Sequence, residues 1–217
     1  DDGEARAVVL EGAGAGFCAG ADMSMFGTID QPEDVQDYIL ENYKPLVGAL
    51  VEMEKPVIAA VNGSAACVGA SIALACDLRL MAEGAEIYQA FVKIGLIPDG
   101  GSTWLLARQI GYGRAFEVAV SGEPIPAERC EELGLANEVV APDQLGARAR
   151  DWATRLARMP TVAIGLTKKA LHHAMEHSLD STIDKEAELQ AKAAATNDHA
   201  EGVEAFLQNR EPNFEGK

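Results

Sequence analysis

The sequence predicts an α/β protein whose core is built from strand–turn–helix units and whose C-terminal part is all-helical. The core prediction starts from the apolar run Val57–Val61, which precedes the turn dipeptide Asn62-Gly63 and the small, uncharged residues 65–75. A second apolar run, residues 77–81, comes next, so the order is strand, turn, buried helix and strand. After Pro142 the β-branched runs disappear and Ala, Glu, Lys and Arg become frequent, which favours helices.

The composition allows one large domain and restricts the partners. The chain has 217 residues, of which 48% are hydrophobic, so it can bury a sizeable core. The formal net charge of −16 argues against nucleic acid as a main partner. The uncharged stretch 57–76 has the length of a membrane span, but its Asn-Gly turn divides it into pieces that are too short to cross a bilayer. We therefore expect no membrane span.

Cysteine usage indicates a reducing compartment and no metal site. The four cysteines show neither a Cys-x-x-Cys pair nor a Cys/His spacing typical of metal ligands. They are Cys18, Cys67, Cys76 and Cys130. No signal or transit peptide is visible, so the expected location is the cytoplasm. The adjacent His172 and His173 are interpreted as part of a solvated helix face.

The N-terminal part of the chain alternates short apolar runs with glycine-rich loops. Residues 7–10 predict a strand, and residues 11–23 hold four glycines, which let the backbone approach a ligand or another segment closely. Their spacing is a poor match to a dinucleotide-binding loop. Residues 33–53 carry apolar side chains at helical spacing. Further along, the pattern predicts a loop over 95–101, helices over 102–110, with Ser102 as N-cap, 116–121 and 126–133, and a strand over 136–140.

The change of composition near Pro142 predicts a boundary between a core, residues 1–141, and a helical segment, residues 142–217. The expected helices cover residues 144–158, 162–177, 182–195 and 200–208. This segment is long enough to pack on the core or on another subunit.

The turn at Asn62-Gly63 is also the first candidate for a functional site. A helix that begins in that turn points unpaired backbone N–H groups into the space above the strand end. Such a place suits a negatively charged oxygen, either on a bound anion or formed during a reaction. A buried strand and helix without any chemistry is the alternative on this stretch alone.

Four motifs, in order along the chain, resemble the crotonase superfamily, the enoyl-CoA hydratases and isomerases. They are FCAGADM (17–23), PVIAAVNGSAACVGASIALACDLRL (56–80), FVKIGLIPDGGSTWLL (91–106) and HAEGVEAFLQNREPNF (199–214). The resemblance implies the ClpP/crotonase-like spiral of ββα units and assembly into homotrimers or hexamers. It also implies a further strand, turn and helix before Asp1, which contact coenzyme A and are either trimmed or lost here.

The resemblance assigns the oxyanion hole to two backbone amides, those of Ala21 and Val68. Both would bind the thioester oxygen of an acyl-CoA, where the charge rests once an α-proton is lost and an enolate forms. Two such donors are worth about 3 kcal/mol each. Coenzyme A is part of the substrate, so no separate cofactor and no metal are expected. Further substrate contacts are expected from Ala19, Asp22, Met23, Cys67, Gly69, Phe91 and Phe206, the last packing near the adenine from a neighbouring subunit.

The proton carrier implied by the resemblance is Asp99, in the loop GLIPDGG. Family hydratases add water with two glutamates, and their places are taken here by Ser71 and Phe91. Isomerases similar to the phenylacetate-pathway enzyme carry one catalytic aspartate at the position of Asp99. One carboxylate suffices to move a proton from C2 to C4, so the expected activity is a shift of an enoyl-CoA double bond. An apolar wall of Phe91, Ile97 and Trp104 would raise the pKa of Asp99.

Four alternatives stay open at this point. Asp99 could merely cap the following helix or stabilise the turn. The enzyme could be an enoyl-CoA hydratase, a lyase, with displaced acid–base groups, or the chain could be a catalytically silent homologue that binds coenzyme A. Finally, AACVGA resembles the nucleophile turn of the Clp-type serine peptidases, with Cys67 as nucleophile. That reading lacks a base, because every histidine lies in the helical segment.

Overall fold

The computed structural model describes residues 4–22, 24 and 31–217. The chain divides into two compact units, each of which combines separate stretches of sequence. The core unit holds Val9–Val51 and Val57–Ala149, and the helical unit holds Asp1–Val8, Glu52–Pro56 and Arg150–Lys217. The helical unit thus takes in short stretches from before and within the core sequence in addition to the C-terminal helices.

Two sheets frame the core unit in the described residues. The first has the order β1 (Val8–Glu11), β2 (Val57–Val61), β4 (Leu78–Ala82), β7 (Glu138–Val140). Strand β2 pairs in parallel with β4, and β4 pairs in parallel with β7. The second sheet has the order β3 (Ser64–Ala66), β5 (Glu86–Tyr88), β6 (Pro124–Pro126). Strand β2 is fully buried over its whole length, as its continuous apolar run predicts.

The helices of this region are α1 (Pro32–Tyr38), α2 (Lys44–Glu52), α3 (Val68–Ala75), α4 (Ser102–Ser121) and α5 (Ala127–Leu133). A π-helical turn, Ile39–Tyr43, joins α1 to α2, and a 3₁₀ turn, Ala90–Ile94, precedes the loop before α4. The two helices predicted over 102–121 form one element that is interrupted at Gly111, where φ is 76° and ψ is 160°. Gly101 is the N-cap of α4, so the prediction for Ser102 is wrong by one residue.

The segment after the Asn62-Gly63 turn begins as a strand, so the helix predicted over 65–75 is wrong at its start. Strand β3 pairs in parallel with β5, and Cys18 forms a parallel bridge with Ala65 on the other side. Strand β5 and the segment at Cys18 thus provide β3 with the backbone hydrogen bonds that it would otherwise make within a helix. Pairing in the folded protein therefore overrides the helix propensity of alanine. Helix α3 then begins at Val68.

A buried arginine closes the C-terminal end of α3. Arg79 on β4 is only 6% exposed, and its Nη1 donates to the carbonyl groups of Leu74, at 3.1 Å, and Cys76, at 2.7 Å. Its Nε donates to the carbonyl of Leu135, and its Nη2 donates to Gln109 Oε1 at 3.0 Å. The last carbonyls of a helix lack partners within the helix and carry partial negative charge, so a buried guanidinium satisfies both needs.

Four helices make up the rest of the chain, at the places predicted from the sequence: α6 (Leu145–Ala157), α7 (Thr161–Ala174), α8 (Leu179–Ala194) and α9 (Asn197–Gln208). Ser178 caps α8 by accepting from Ser181 N, and Thr196 caps α9 by accepting from His199 N. Among the described residues, none of the helices combines the length and the apolar character needed to cross a membrane.

We expect Arg79→Met to lower the free energy of unfolding by about 3 kcal/mol or more, because several buried carbonyl groups lose their donor. Urea unfolding followed by circular dichroism measures the change. The matched control is Arg129→Met, since Arg129 pairs with Glu132 at 2.7 Å on the surface, and an exposed pair contributes below about 1 kcal/mol. Equal losses in the two variants would contradict the role given to Arg79.

Candidate active site

The turn asparagine Asn62 holds the glycine-rich loop that leads into the site. Its Oδ1 accepts from the amide of Gly12 at 3.0 Å, and its Nδ2 donates to the carbonyl of Gly14 at 2.8 Å. The backbones approach so closely that a Cβ atom on Gly63 would lie 2.1 Å from the carbonyl oxygen of Ala15. Only glycine fits at this crossing, so the turn predicted from Asn62-Gly63 also anchors the loop.

The segment that follows this loop lies directly beside the start of α3. Ala66 N donates to the carbonyl oxygen of Cys18 at 2.8 Å. A Cβ on Gly69 would lie 2.3 Å from that same oxygen, and a Cβ on Gly20, whose φ is 93°, would lie 2.9 Å from the carbonyl oxygen of Ala66. These contacts place Ala21 one residue beyond the point where the two segments touch.

Two backbone amides near this crossing have no backbone acceptor among the described residues. Helix α3 begins at Val68, and the first amides of a helix have no partner within the helix. Within the described part of the chain, no backbone hydrogen bond outside the helices and strands has the amide of Ala21 or of Val68 as its donor. Both remain available for an oxygen from a ligand, which is what an oxyanion hole requires. Their joint role stays a prediction.

Cys67 occupies a strained backbone position between β3 and α3. Its φ of 51° and ψ of −120° lie where residues with a side chain rarely occur, and its amide donates to the carbonyl of Tyr88 at 2.8 Å. Burial raises the pKa of the Cys67 thiol, and the charge of Asp99 adds to this, while a hydrogen bond from Ala90 opposes it. A thiol with a raised pKa stays protonated at neutral pH and is a poor nucleophile.

The histidines offer this thiol no base within its own unit. All of them belong to the helical unit: His172, His173, His177 and His199. Nucleophilic catalysis needs a base within hydrogen-bonding reach of the thiol. In the described residues, no group of His, Cys, Asp and Glu side chains has the arrangement of a metal site.

Asp99 lies in the loop between the 3₁₀ turn and α4 and is half-buried. Its Oδ1 is buried and has no hydrogen-bond partner among the described residues. Burial raises the pKa of Asp99 from 3.8 to about 6. The N-cap of α4 is Gly101, which receives no side-chain cap, and Ser102 N donates at 3.0 Å to the backbone carbonyl of Asp99. The carboxylate is therefore not used to cap this helix, contrary to the capping alternative.

The Asp99 loop rests on the first turns of α3. A Cβ on Gly100, whose φ is 56°, would lie 2.9 Å from Val68 Cγ2 and 3.2 Å from Ser71 Oγ. A side chain at this position would force the loop away from the helix. The loop thus brings the backbone next to Asp99 into contact with Val68, the residue whose amide is predicted to hold the substrate oxygen.

Of the three residues predicted to form an apolar wall, two are buried or half-buried and one is exposed. Phe91 is buried in the 3₁₀ turn, and Trp104 is half-buried on α4, with the guanidinium of Arg108 lying 4.1 Å from the centroid of its ring. Ile97 is 80% exposed, so its inclusion in the wall is wrong. Its position two residues before Asp99 in a loop carries no periodicity from which its orientation could be predicted.

Tyr43 is a residue near Asp99 that the sequence pattern alone does not single out. Burial raises the pKa of Tyr43 to about 12, and Tyr38 and the charge of Asp99 add to the shift. The rings of Tyr38 and Tyr43 meet edge to face, with centroids 5.3 Å apart. The sequence pattern treats both as one apolar helix face, whereas the π-helical turn brings residues five apart together. Such turns often occur at functional sites.

The other predicted contact residues lie on several parts of the chain. Ala19 is exposed, and the carboxylate of Asp22 accepts from Ser24 N at 2.9 Å, a hydrogen bond that lowers the pKa of Asp22. Met23 lies outside the described residues. Phe206 is on α9 of the helical unit and is 82% exposed. Its contact with the adenine of a neighbouring subunit's ligand stays a prediction.

Comparison with known proteins gives a consistent result. Residues 1–217 match the family model described as enoyl-CoA hydratase/isomerase. The 1,2-epoxyphenylacetyl-CoA isomerase of Escherichia coli strain K12 is 42% identical over 219 residues, which cover 100% of this chain and 83% of that protein. The short-chain-enoyl-CoA hydratase of Clostridium acetobutylicum is 35% identical over 211 residues, which cover 97% of this chain and 80% of that protein.

Solved structures confirm the predicted fold. The enoyl-CoA hydratase of Bacillus anthracis superposes with a TM-score of 0.92 at 33% identity, covering 98% of this chain and 82% of that structure. An enoyl-CoA hydratase from Polaromonas sp. JS666 gives a TM-score of 0.91 at 33% identity, covering 97% of this chain and 82% of that structure. With a family match over its full length and this fold, the chain belongs to the enoyl-CoA hydratase/isomerase family, the crotonase superfamily of enzymes.

Proposed function

We propose that this enzyme shifts the double bond of an enoyl-CoA from the β,γ to the α,β position. The observation that carries the proposal is the Asp99 carboxyl group, half-buried, with Oδ1 unpartnered among the described residues and a pKa raised to about 6. Asp99 takes the proton from C2 of the acyl group and returns it at C4. The amides of Ala21 and Val68 hold the thioester oxygen of the enolate between these two steps.

A pKa near 6 suits a group that must both accept and donate a proton. A carboxylate with an ordinary pKa is a weak base for a carbon acid, whereas one that titrates near the working pH serves in both directions. General acid–base catalysis of this kind contributes about 10²- to 10⁴-fold to the rate. The cause of the shift is desolvation, because burial disfavours the charged form of Asp99.

The two positions that carry glutamates in family hydratases support isomerisation over hydration. Ser71 is fully buried, and Phe91 is 4% exposed; neither can activate water. Adding water across a double bond requires one group to deprotonate the water and another to protonate the carbon. Moving a proton within one allylic system requires a single group, and Asp99 meets that requirement.

Backbone amides supply the charge stabilisation in this proposal. The enolate oxygen gains negative charge only as the C2 proton leaves, so donors already aimed at its position favour the transition state over the bound substrate. The donor at Val68 is the main-chain N–H, which leaves the side chain free to pack against Gly100.

A second candidate is isomerisation of an aromatic acyl-CoA that carries an epoxide. It is favoured by the 42% identity to 1,2-epoxyphenylacetyl-CoA isomerase and by the edge-to-face pair of Tyr38 and Tyr43, which suits a ring substrate. Hydration, the activity named for other relatives, is the third outcome to test. Product analysis by mass spectrometry separates hydration from the two isomerisations, because only hydration changes the mass by one water. The two isomerisations are told apart by which substrate is consumed, the β,γ-enoyl-CoA or the epoxide.

Assembly and substrate binding complete the proposal. We place Phe206 near the adenine of coenzyme A held by a neighbouring subunit, in a homotrimer or hexamer, because an aromatic side chain this exposed on α9 is available for a partner. Coenzyme A enters as part of the substrate, and the reaction as proposed uses no further cofactor. A reducing, cytoplasmic location fits the free state of Cys18, Cys67, Cys76 and Cys130.

We expect Asp99→Asn to slow exchange of the C2 proton by about 10²- to 10⁴-fold, because the amide cannot accept a proton. Exchange is measured in heavy water on a panel of linear enoyl and phenylacetyl thioesters of coenzyme A. Their binding, measured by calorimetry, should change by less than about threefold. The control is Glu123→Gln, since Glu123 is an exposed carboxylate 3.4 Å from Lys93. Near-normal exchange in Asp99→Asn would remove Asp99 from the mechanism.

The pH dependence follows from the raised pKa of Asp99. A base must be ionised, so the exchange rate should rise with pH through about 6 and level off above it. The same raised pKa means that the folded protein favours protonated Asp99. Its contribution to the free energy of unfolding is fully present below pH 3.8 and is lost as the pH rises through about 6. Above that pH, Asp99→Asn should therefore unfold at the same temperature as the wild type or at a higher one. A rate that stays flat across this range would contradict the assignment.

Cys67→Gly separates the proposal from thiol chemistry. Because glycine adopts the φ of 51° without strain, we expect the free energy of unfolding to rise by about 1 kcal/mol. Exchange of the C2 proton should be retained. Thermal unfolding and the exchange assay measure the two effects, and Cys130→Ala, at a buried cysteine with ordinary backbone geometry, is the control. Loss of turnover in Cys67→Gly together with rapid alkylation of Cys67 in the wild type would instead favour a nucleophilic thiol.

A further inference from the structure

A chain of buried hydrogen bonds lies beneath the Asp99 loop. Gln89 Nε2 lies 3.0 Å from Ser102 Oγ, which lies 2.6 Å from Ser71 Oγ. Ser71 Oγ in turn lies 3.0 Å from the backbone carbonyl oxygen of Asp99. The side chains of Gln89, Ser102 and Ser71 are all 0% exposed. They come from three different parts of the core unit and meet only in the folded chain.

Counting protons fixes the direction of this chain. Each hydroxyl has one proton to donate, and a carbonyl oxygen can only accept. All three contacts are hydrogen bonds if the Gln89 amide donates to Ser102, Ser102 donates to Ser71, and Ser71 donates to the carbonyl of Asp99. With the Gln89 amide reversed, Ser102 would donate to it and Ser71 would donate to Ser102. The contact between Ser71 and Asp99 would then be an oxygen pair without a proton.

The carbonyl of Asp99 is held from two sides. It accepts from Ser71 Oγ at 3.0 Å and from Ser102 N at 3.0 Å. The next residue, Gly100, is packed on Val68 and Ser71, as its close contacts show. The loop that carries the carboxyl group is therefore tied to the same helix whose first amide belongs to Val68.

We propose that Gln89, Ser102 and Ser71 act as positioning residues that set the place of the Asp99 carboxyl group relative to the Val68 amide. The inference rests on the proposed function, since it assigns a role in placing the proton carrier against the thioester. A misplacement by about 1 Å can cost 10²-fold in rate, so a rigid link between the two groups has direct catalytic value. A fully buried hydrogen-bond network rigidifies the part of the core that contains it.

The energetic cost of the network also points to this role. The Oε1 of Gln89 is buried and has no partner among the described residues, and a buried polar atom without a partner lowers the stability of the fold. Apolar side chains of similar shape would fill the same space without that cost. The polar network therefore exists at the expense of stability. It ends at the Ser71 hydroxyl, which lies 3.0 Å from the carbonyl oxygen of Asp99 and, less closely, 3.5 Å from that of Cys67.

The test replaces the three side chains of the hydrogen-bond network one at a time. We expect Ser71→Ala to slow C2 proton exchange by about 10- to 100-fold, with a change of KM below about threefold. Ser102→Ala should have a smaller effect and Gln89→Met the smallest, because each leaves the hydrogen bonds closer to Asp99 in place. The control is Ser121→Ala, an exposed serine at the other end of α4 whose hydroxyl lies 3.4 Å from the carbonyl of Val118. It should leave the rate unchanged.

The pH profile distinguishes positioning from a general loss of stability. A loosened loop lets water reach the Asp99 carboxyl group, so the midpoint of the rate profile should move below about 6 in Ser71→Ala. In the Asp99→Asn background, Ser71→Ala should cause no further loss, since both changes act through one group. If Ser71→Ala fails to fold, Ser102→Ala carries the same test with the same readouts.

Two results would overturn the inference, and they are separate from a failure of the proposed function. Wild-type rates and an unchanged pH midpoint in Ser71→Ala and Ser102→Ala, with Asp99→Asn inactive, would exclude positioning and leave Asp99 as the proton carrier. If Ser71→Ala lowers the exchange rate by the same factor in the wild type and in Asp99→Asn, then Ser71 acts independently of the Asp99 carboxylate. An active Asp99→Asn would instead contradict the proposed function itself.

Discussion

The start of helix α3 is the point on which the rest of the site depends, because two backbone segments approach it too closely for side chains to intervene. The carbonyl of Cys18 lies where a Cβ on Gly69 would have to be, and Gly100 touches Val68 and Ser71 on another side. A third crossing, between Gly63 and Ala15, anchors the loop that precedes Cys18. A glycine at each crossing lets the main-chain amides and the Asp99 loop share one small region.

The two ends of α3 differ in whether their free backbone groups have hydrogen-bond partners. At the C-terminal end, the guanidinium of Arg79 satisfies the carbonyls of Leu74 and Cys76. At the N-terminal end, the amide of Val68 has no backbone acceptor within the described residues. The backbone groups at both ends of any helix lack partners within the helix, and in the described part of the protein other residues supply them at the C-terminal end of α3. The open end is the one that the proposed mechanism uses.

Features that lower the stability of the fold lie close to the N-terminal end of α3. Cys67 has an unfavourable backbone conformation, and Asp99 and Gln89 each have a buried oxygen without a partner among the described residues. Each feature lowers the stability of the fold, and the three residues come from different parts of the sequence. Strain and unsatisfied polar groups that gather at one place are typical of functional sites, where the geometry serves the reaction in place of stability.

Local pattern was enough to predict much of the fold, and the resemblance to the family singled out the candidate proton carrier. Strand β2, the turn at Asn62-Gly63 and the C-terminal helices follow from short-range periodicity, and the motifs pointed to the family and to Asp99. The pattern did not predict β3, because Ser64–Ala66 becomes a strand only when its neighbours are in place. Nor did it predict the π-helical turn that joins Tyr38 to Tyr43.

The link between Ser71, Ser102 and Gln89 was likewise out of reach of the sequence. Ser71 and Ser102 are 31 residues apart, and a serine on a buried helix gives no sign of its partner. The sequence by itself determined which residue types are present: a helix that can begin after a tight turn, glycines for close crossings, and one aspartate in the loop. Only the tertiary structure decided that this aspartate is desolvated and held against α3, because burial and hydrogen-bond partners depend on segments that meet after folding.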